Sequence, residues 1–483
     1  MSTRTIACAH LVEAPDQPIA ANREIRLSDG RVEAVGPIAA ANAEPLFVMP
    51  ALINAHDHGR AVRTSSLGAA GKPLETWLQY QALIPSIDPY LVAVVALSRS
   101  ALGGVGTVMM HLTRPQALTG LPTEAAAIAR AARDVGVRIG FAVSMRDRNP
   151  LVYGPSEPIL AALPEPARRH IAALVSRKPL QPREFVALVD DVAAAAANPT
   201  FDVQYGPNGV QWCSQPLLEA IAEASHSTGR RIHMHLLETR YQRTWADATH
   251  PEGIVKYLAA LGLLSPRLTL AHCVWARRDE LELLAERGVT IAVNTSSNLH
   301  LRSGIAPVAE MIGAGCRVAL GLDGSALDDD DDALRELRLW HLLHVGNGFG
   351  VAVNREALLR AACTNGRLSV TNVMDDGGIR PGGAADMLLI DWAAIDDDRL
   401  RADIDPLQLV LTRATARHIR EVIVGGRTVV KAGRVTGVDA EAARAEVGDR
   451  LRAGMQDKAS IAAALPALEA AIARHFEPHP GCF

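Results

Sequence analysis

The sequence predicts an α/β fold: a TIM (β/α)8 barrel joined to a small composite β-sandwich built from both chain ends. Three observations carry this expectation. From about Val48 to about Thr371, short apolar strands alternate with helical segments, the pattern of repeated β/α units. Eight strand candidates can be counted there, and eight is the number that closes a barrel. Polar residues collect at the C-terminal ends of those strands, which in a closed parallel barrel meet on the one face where such folds keep their chemistry.

The predicted strands run, in order, from Phe47 to Ala55, Gly106 to His111, Val137 to Val143, Phe201 to Tyr205, Arg231 to Leu236, Arg267 to Cys273, Val289 to Asn294 and Arg317 to Leu322. Ala- and Leu-rich helices separate them, including Ala125 to Asp134, Pro216 to Ser227, Asp279 to Arg287 and Ala306 to Ala314. The strand ends carry His58, His111, Arg146 with Asp147, Asn208, His235, His272, Asn294 and Asp323.

At the start of the chain, Ile25-Arg26-Leu27 and Arg31 to Val35 flank Ser28-Asp29-Gly30, which reads as a hairpin with a Gly turn. Asp386 to Asp391 and Glu421 to Val430 are β-rich near the end. The predicted division is therefore residues 1–47 and 381–437 for the composite sandwich, 48–380 for the barrel, and 438–483 for a C-terminal helical segment and tail. Residues Arg146 to Asn198 exceed one β/α connection and hold seven prolines, from Pro150 to Pro182; they are expected to form part of a lid over the barrel mouth. The stretch from Asp439 to His475 reads as a surface helix with a Pro-rich tail.

Composition bounds the function. Of 483 residues, 48% are hydrophobic and 21% charged, with a formal net charge of −4, so no global positive field exists to attract nucleic acid or anionic lipid. The expected partner is a small-molecule substrate, with no nucleic acid and no membrane. The opening residues lack a basic segment followed by a sustained apolar run, and a cytoplasmic location is expected. Six scattered cysteines form no C-x-x-C pair, which argues against a disulfide framework or a thiolate metal site.

The strongest local signal is Asn54-Ala55-His56-Asp57-His58-Gly59. Alternate residues of a strand face the same way, so His56 and His58 present two imidazoles to one point. A second signal is His233-Met234-His235-Leu236-Leu237-Glu238, a strand-end histidine followed by a carboxylate. His272 and Asp323 close two further strands. Imidazoles and an aspartate gathered on one rim are the donor chemistry of zinc and its neighbours.

Together these residues resemble the amidohydrolase superfamily, in its mononuclear branch of purine, pterin, cytosine and S-adenosylhomocysteine-type deaminases and triazine hydrolases. The resemblance extends to the strand-seven run Asn294-Thr295-Ser296-Ser297-Asn298-Leu299, to Ser303-Gly304-Ile305-Ala306-Pro307 and to the terminal β segments. It implies His56, His58, His235 and Asp323 as metal ligands, and Glu238, His272 and Asp323 as catalytic residues. Glu238 would move a proton to the leaving side of the substrate, His272 would orient or polarise the attacked group or the water, and Asp323 would accept the proton of water. Many relatives bridge two metals with a strand-four lysine; the five lysines here are Lys72, Lys178, Lys256, Lys431 and Lys458, none of them in that strand. One divalent ion is expected, with zinc favoured and iron or manganese compatible.

Some positions depart from the resemblance. Nucleoside-type deaminases carry a histidine after strand four, where this chain reads Gly206-Pro207-Asn208. The run Asp328 to Asp332 is expected to be a helix N-terminus rather than a site for a cationic substrate. Trp77, His111, Arg146, Asn208 and Trp212 are expected to bind substrate by position, and Arg60 or Arg63 is a further candidate contact. The expected activity is hydrolytic deamination of an amino-substituted nitrogen heterocycle of purine, pterin, pyrimidine or triazine type. The alternative is hydrolysis of an amide, urea or carbamate C–N bond on the same centre, and a non-catalytic scaffold is a third class. A homo-oligomer, dimer or tetramer, is expected from the resemblance alone.

Overall fold

The computed structural model describes residues 3–176, 178–324, 329–373 and 377–477. Its centre is a parallel sheet of eight strands, β1 (Leu52–Asp57), β2 (Val105–Leu112), β3 (Arg138–Met145), β4 (Phe201–Pro207), β5 (Ile232–Leu236), β6 (Leu268–His272), β7 (Thr290–Val293) and β8 (Arg317–Leu320). Each strand pairs in parallel with the next. The ring is drawn together where β8 returns to β1: Asp323 N donates to His56 O at 2.8 Å and Leu322 N to Asn54 Oδ1 at 2.9 Å. The backbones crowd there, since a Cβ on Gly321 would stand 2.0 Å from Asn294 Oδ1.

Small apolar side chains fill the barrel: Ile53, Ala55, Met109, Ala142, Ala292 and Ala319 form one cluster with Val370. Val370 belongs to the short helix Asn365–Thr371, which closes the N-terminal end of the barrel. There Gln204 Nε2 donates to Ser369 O at 2.9 Å. With that end plugged, the opposite rim is the one open to chemistry.

The second sheet is mixed and draws on both chain ends. Its strands, in spatial order, are Arg434–Val435, Arg427–Lys431, Ile419–Val424, Met387–Asp391, Leu46–Pro50, Thr3–Leu11, Ala20–Ser28 and Arg31–Pro37. The expected hairpin is present, with Ser28 opposite Arg31. Its turn residues Asp29 and Gly30 both have positive φ, 49° and 79°, as a two-residue turn matched to strand twist requires. Ile6, Leu11, Ile25, Leu27, Val48, Met387, Leu389 and Ile423 share one apolar cluster, so the two terminal portions bury one core. Asp386 fastens this sheet to the barrel, accepting from Arg138 Nε at 2.9 Å, Arg367 Nη1 at 3.0 Å and Gly425 N at 2.6 Å.

Several expectations are corrected. The run from Phe47 to Ala55 is not one strand: Leu46–Pro50 pairs in the terminal sheet and Leu52–Asp57 in the barrel. Pro50 has no N–H for a continued ladder, and the chain changes sheet at Ala51. The Arg146 to Asn198 segment is only partly an insertion. Its last helix, Pro182–Ala195, packs on Leu121–Val135 and Gln215–Thr228 as a barrel helix. The remainder, with helices Glu157–Ala161 and Glu165–Val175, packs on the C-terminal helix Ala459–Phe476.

The Asp439 to His475 stretch forms two helices, Ala440–Gly454 and Ala459–Phe476, and the second lies on the surface with one face exposed and the other packed inward. Leu465, Leu468 and Ile472 are buried against Tyr153, Ile159 and Ile171 of the insertion, and Lys72 Nζ pairs with Glu469 at 2.9 Å. The tail beyond Glu477, with Cys482, lies outside the described residues, as do Ser325 to Asp328. Within the acidic run, Asp332 caps the helix Ala333–His344, as expected of a helix start. Asp331, instead of facing water, is buried on Arg99 Nε at 3.0 Å. The other five cysteines are buried and free. Among the described residues no helix is long and apolar enough to cross a membrane.

Candidate metal centre at the barrel mouth

The rim of the barrel brings together six residues from four separate stretches: His56 and His58 at the end of β1, His235 and Glu238 at β5, His272 at β6 and Asp323 after β8. All are at most 9% exposed. Asp323 Oδ1 lies 3.0 Å from His58 Nε2 and 3.5 Å from His56 Nε2. His235 Nε2 is 3.4 Å from His58 Nε2, and His272 Nε2 is 3.6 Å from Glu238 Oε2. Triads of these side chains, such as His56, His58 and Asp323, or His56, His235 and His272, place their donor atoms within 4.8 Å of one another.

The outer nitrogens decide what the inner ones can do. His58 Nδ1 lies 2.8 Å from His111 O, and His235 Nδ1 lies 2.7 Å from Asn208 O. A carbonyl only accepts, so each ring carries its proton on Nδ1 and turns a lone pair outward at Nε2. The two Nε2 atoms therefore face each other as acceptors. Among the six residues four buried atoms have no hydrogen-bond partner, His56 Nε2, Glu238 Oε1, His272 Nε2 and Asp323 Oδ1.

Converging lone pairs without a donor are unfavourable unless a cation sits between them. Two nitrogens bound at ~2.0–2.1 Å to one tetrahedral ion stand about 3.3 Å apart, close to the spacing of His58 and His235. The donor set thus fits a divalent metal ion.

The electrostatics of the site agree. Burial pushes the His56 imidazole down to about 3 and holds His235 well below its ordinary range, so both rings are neutral near pH 7. Burial alone would raise the Asp323 carboxyl, but the imidazoles of His56 and His58 beside it hold it well below the usual range. Ser297 Oγ donates to its other oxygen at 2.6 Å. Glu238 moves the opposite way: burial, then the charges of Asp323 and Glu75, raise it well above its ordinary value. Its Oε1 is buried without a partner.

The backbone is strained at this rim. His272 and Asp323 have φ of 77° and 59°, a left-handed conformation that is uncommon for residues other than glycine and concentrates at functional sites.

The expected substrate-contact residues are placed differently from one another. His111 stacks behind the cluster, its ring centroid 5.0 Å from that of His235 and its Nε2 3.1 Å from Gly206 O. Asn208 serves His235 through its backbone, while its side-chain Oδ1 accepts from Ser144 Oγ at 2.9 Å. Trp77 is buried with Ala69, Leu74 and Leu301 and donates to Thr64 Oγ1 at 3.2 Å. It is linked to the cluster through Arg60, whose guanidinium lies 4.8 Å from the Trp77 ring and donates to Asp323 O at 3.2 Å. Arg146 Nε donates to Asn149 Oδ1 at 2.9 Å, and half-buried Trp212 accepts Asp147 N and Arg148 N on its carbonyl.

Sequence reasoning missed several members. His233 Nε2 lies 2.7 Å from His56 Nδ1; the signal was available, because His233 stands two residues before His235 on the same strand face. Asn298 Oδ1 lies 2.9 Å from His272 Nδ1 and fixes that ring. Asp57, between the two histidines, accepts His58 N and Gly59 N on Oδ1 and Gly324 N on Oδ2, tying the β1 and β8 ends together.

Residues 47–429 match the model of the Amidohydrolase family. The 5'-deoxyadenosine deaminase of Methanopyrus kandleri is 28% identical over 392 residues, 81% of this chain and 83% of that protein. The 5-methylthioadenosine/S-adenosylhomocysteine deaminase of Moorella thermoacetica is 27% identical over 453 residues, 90% of this chain and 96% of that protein. Among solved structures, an adenosine deaminase from Xanthomonas campestris with bound zinc superposes with a TM-score of 0.73 at 22% identity, covering 93% of this chain and 98% of that one.

Proposed function

The chain belongs to the amidohydrolase family, and from that premise we propose that it hydrolytically deaminates an amino-substituted nitrogen heterocycle, with adenine-type purines as the first class to test. The observation that carries this reading is Glu238: a buried carboxyl, raised well above its ordinary value, facing His272 at the edge of the imidazole cluster. Deamination needs a group that gives a proton to the departing nitrogen, and a raised carboxyl keeps its proton to higher pH than an ordinary one. Both relatives above, aligned over most of their length, are deaminases of adenosine-type compounds.

His56, His58, His235 and Asp323 would hold a single divalent ion. Zinc is the choice we favour, because three imidazoles and a carboxylate suit it and the superposed adenosine deaminase holds it. The ion supplies Lewis acidity that lets water ionise near neutral pH. Asp323, anchored by Ser297, accepts the proton of water as its oxygen adds to the ring carbon. Glu238 delivers its proton to the exocyclic nitrogen, which departs as ammonia. His272, fixed by Asn298, presents Nε2 to the reacting centre and orients it. The balance is one water consumed, one C–N bond broken, one C–O bond formed and one ammonia released.

Asn208 narrows the substrate. Where the resemblance places a histidine, its side chain is held by Ser144, so the ring is recognised by other groups. The test is ammonia release from purified, metal-loaded protein across 5'-deoxyadenosine, 5'-methylthioadenosine, adenosine, guanine, pterins, cytosine and aminotriazines, with ureas and amides as a second tier. Release from ring substrates supports the proposal; amine release confined to ureas or amides contradicts it.

A further inference from the structure

We infer that Glu75 is a positioning residue for Glu238, holding the proton-transfer turn in place and joining it to the insertion that follows β3; the inference rests on the role given to Glu238 above. Glu75 opens the helix Leu74–Tyr80, in the loop that follows β1. It is 2% exposed, a charged type at a depth where carboxylates are rare without partners. Its Oε1 accepts two hydroxyls, Thr239 Oγ1 at 2.7 Å and Tyr153 OH at 3.2 Å, and these hydroxyls also lie 3.1 Å from each other. One carboxylate oxygen thus gathers the loops after β1, β3 and β5.

Thr239 is the residue after Glu238 and caps the helix Arg240–Thr249 by accepting Gln242 N. Gln242 in turn accepts Glu238 N on its side-chain oxygen at 2.8 Å and donates to Gln211 Oε1 at 2.9 Å. The backbone on both sides of Glu238 is therefore held by side chains, and Glu75 anchors the Thr239 half. Glu238 Oε1 has no hydrogen-bond partner and Oε2 stands 3.6 Å from His272 Nε2, so the backbone on either side carries much of the direction of this side chain. Tyr153 packs its ring on Trp245 and on Phe476 of the C-terminal helix, centroids 6.4 Å and 5.9 Å apart. The order of the insertion is in this way transmitted to the Glu238 turn.

A positioning role and a purely structural one separate in a double-mutant comparison. Losing a hydrogen bond to a charged group is worth roughly tenfold. Glu75→Ala is expected to lower kcat for ammonia release from 5'-deoxyadenosine by about that factor, with KM and metal content little changed. Glu75→Gln, which keeps an acceptor oxygen for Thr239, restores most of the turnover. In a Glu238→Gln background, Glu75→Ala causes no further loss, because the group it positions has been removed. Tyr153→Phe repeats the comparison with a milder change should Glu75→Ala fold poorly. Crystals of Glu75→Ala give a readout free of substrate: the Glu238 carboxylate is displaced from its place 3.6 Å from His272 Nε2. Equal losses in both backgrounds, or an unmoved Glu238, overturn the inference. Wild-type turnover in Glu238→Gln alone overturns the role of Glu238 first, and the positioning role with it.

Discussion

The Nε2 atoms of His58 and His235 lie 3.4 Å apart although each ring is protonated on its far side by contact with a backbone carbonyl, His111 O for one and Asn208 O for the other. Two acceptors face each other at the distance a shared cation would set. The site is built to be completed by an ion.

Chelation should therefore destabilise the protein as well as silence it. An ion that binds the native state alone stabilises it by about 2.7 kcal/mol at a hundredfold excess over its Kd. Thermal unfolding with and without a chelator is expected to show a lower midpoint on metal removal, reversed by stoichiometric zinc. His235→Ala should start at the lower midpoint and not respond; an unchanged midpoint in the wild type would argue against a bound ion.

Glu238→Gln keeps the shape of the side chain and removes the proton. Metal content should match the wild type, and kcat should fall by roughly 10²–10⁴. Metal analysis and steady-state rates on the same preparation check both halves.

Ser297 binds the oxygen of Asp323 that faces away from His58, at 2.6 Å. Ser297→Ala frees that oxygen to rotate and is expected to lower kcat by about tenfold, the worth of one hydrogen bond to a charged group. Metal content should hold. Full activity in this variant would show that Asp323 needs no such anchor.

Glu336 makes a prediction about pH. Burial raises its carboxyl to about 7, though Ser296 N donates to it at 3.0 Å. Below about pH 4.5 folded and unfolded chains both bind the proton; between there and about pH 7 only the folded chain does. Stability contributed by this group therefore falls as pH rises through that window, by about 3 kcal/mol in all, and is flat above it. Glu336→Gln should gain on the wild type across the same window in denaturant titrations. Parallel curves for the two proteins would contradict the assignment.

Much of this was legible in the sequence where the physics is local. Period-two alternation places His56 and His58 on one face, and the strand-end rule places His235, His272 and Asp323 on one rim; the structure gathers all five. Local pattern also misled. Phe47 to Ile53 is an unbroken apolar run, and only Pro50 marks the change from one sheet to the other.

What could not be read depends on contacts between distant loops. Ser297 reaches Asp323, Asn298 reaches His272, and Glu75 reaches Thr239 across 164 positions. No periodicity encodes such pairs. Trp77 shows the converse limit: its position near the mouth suggests a substrate contact, but its indole N–H donates to Thr64 and its ring faces Arg60.

The most direct test of the account is anomalous diffraction from crystals of the zinc-loaded protein, measured on both sides of the zinc edge. It should reveal one peak, bounded by the Nε2 atoms of His56, His58 and His235 and by Asp323 Oδ1. No peak there, or a peak held by other residues, would contradict it.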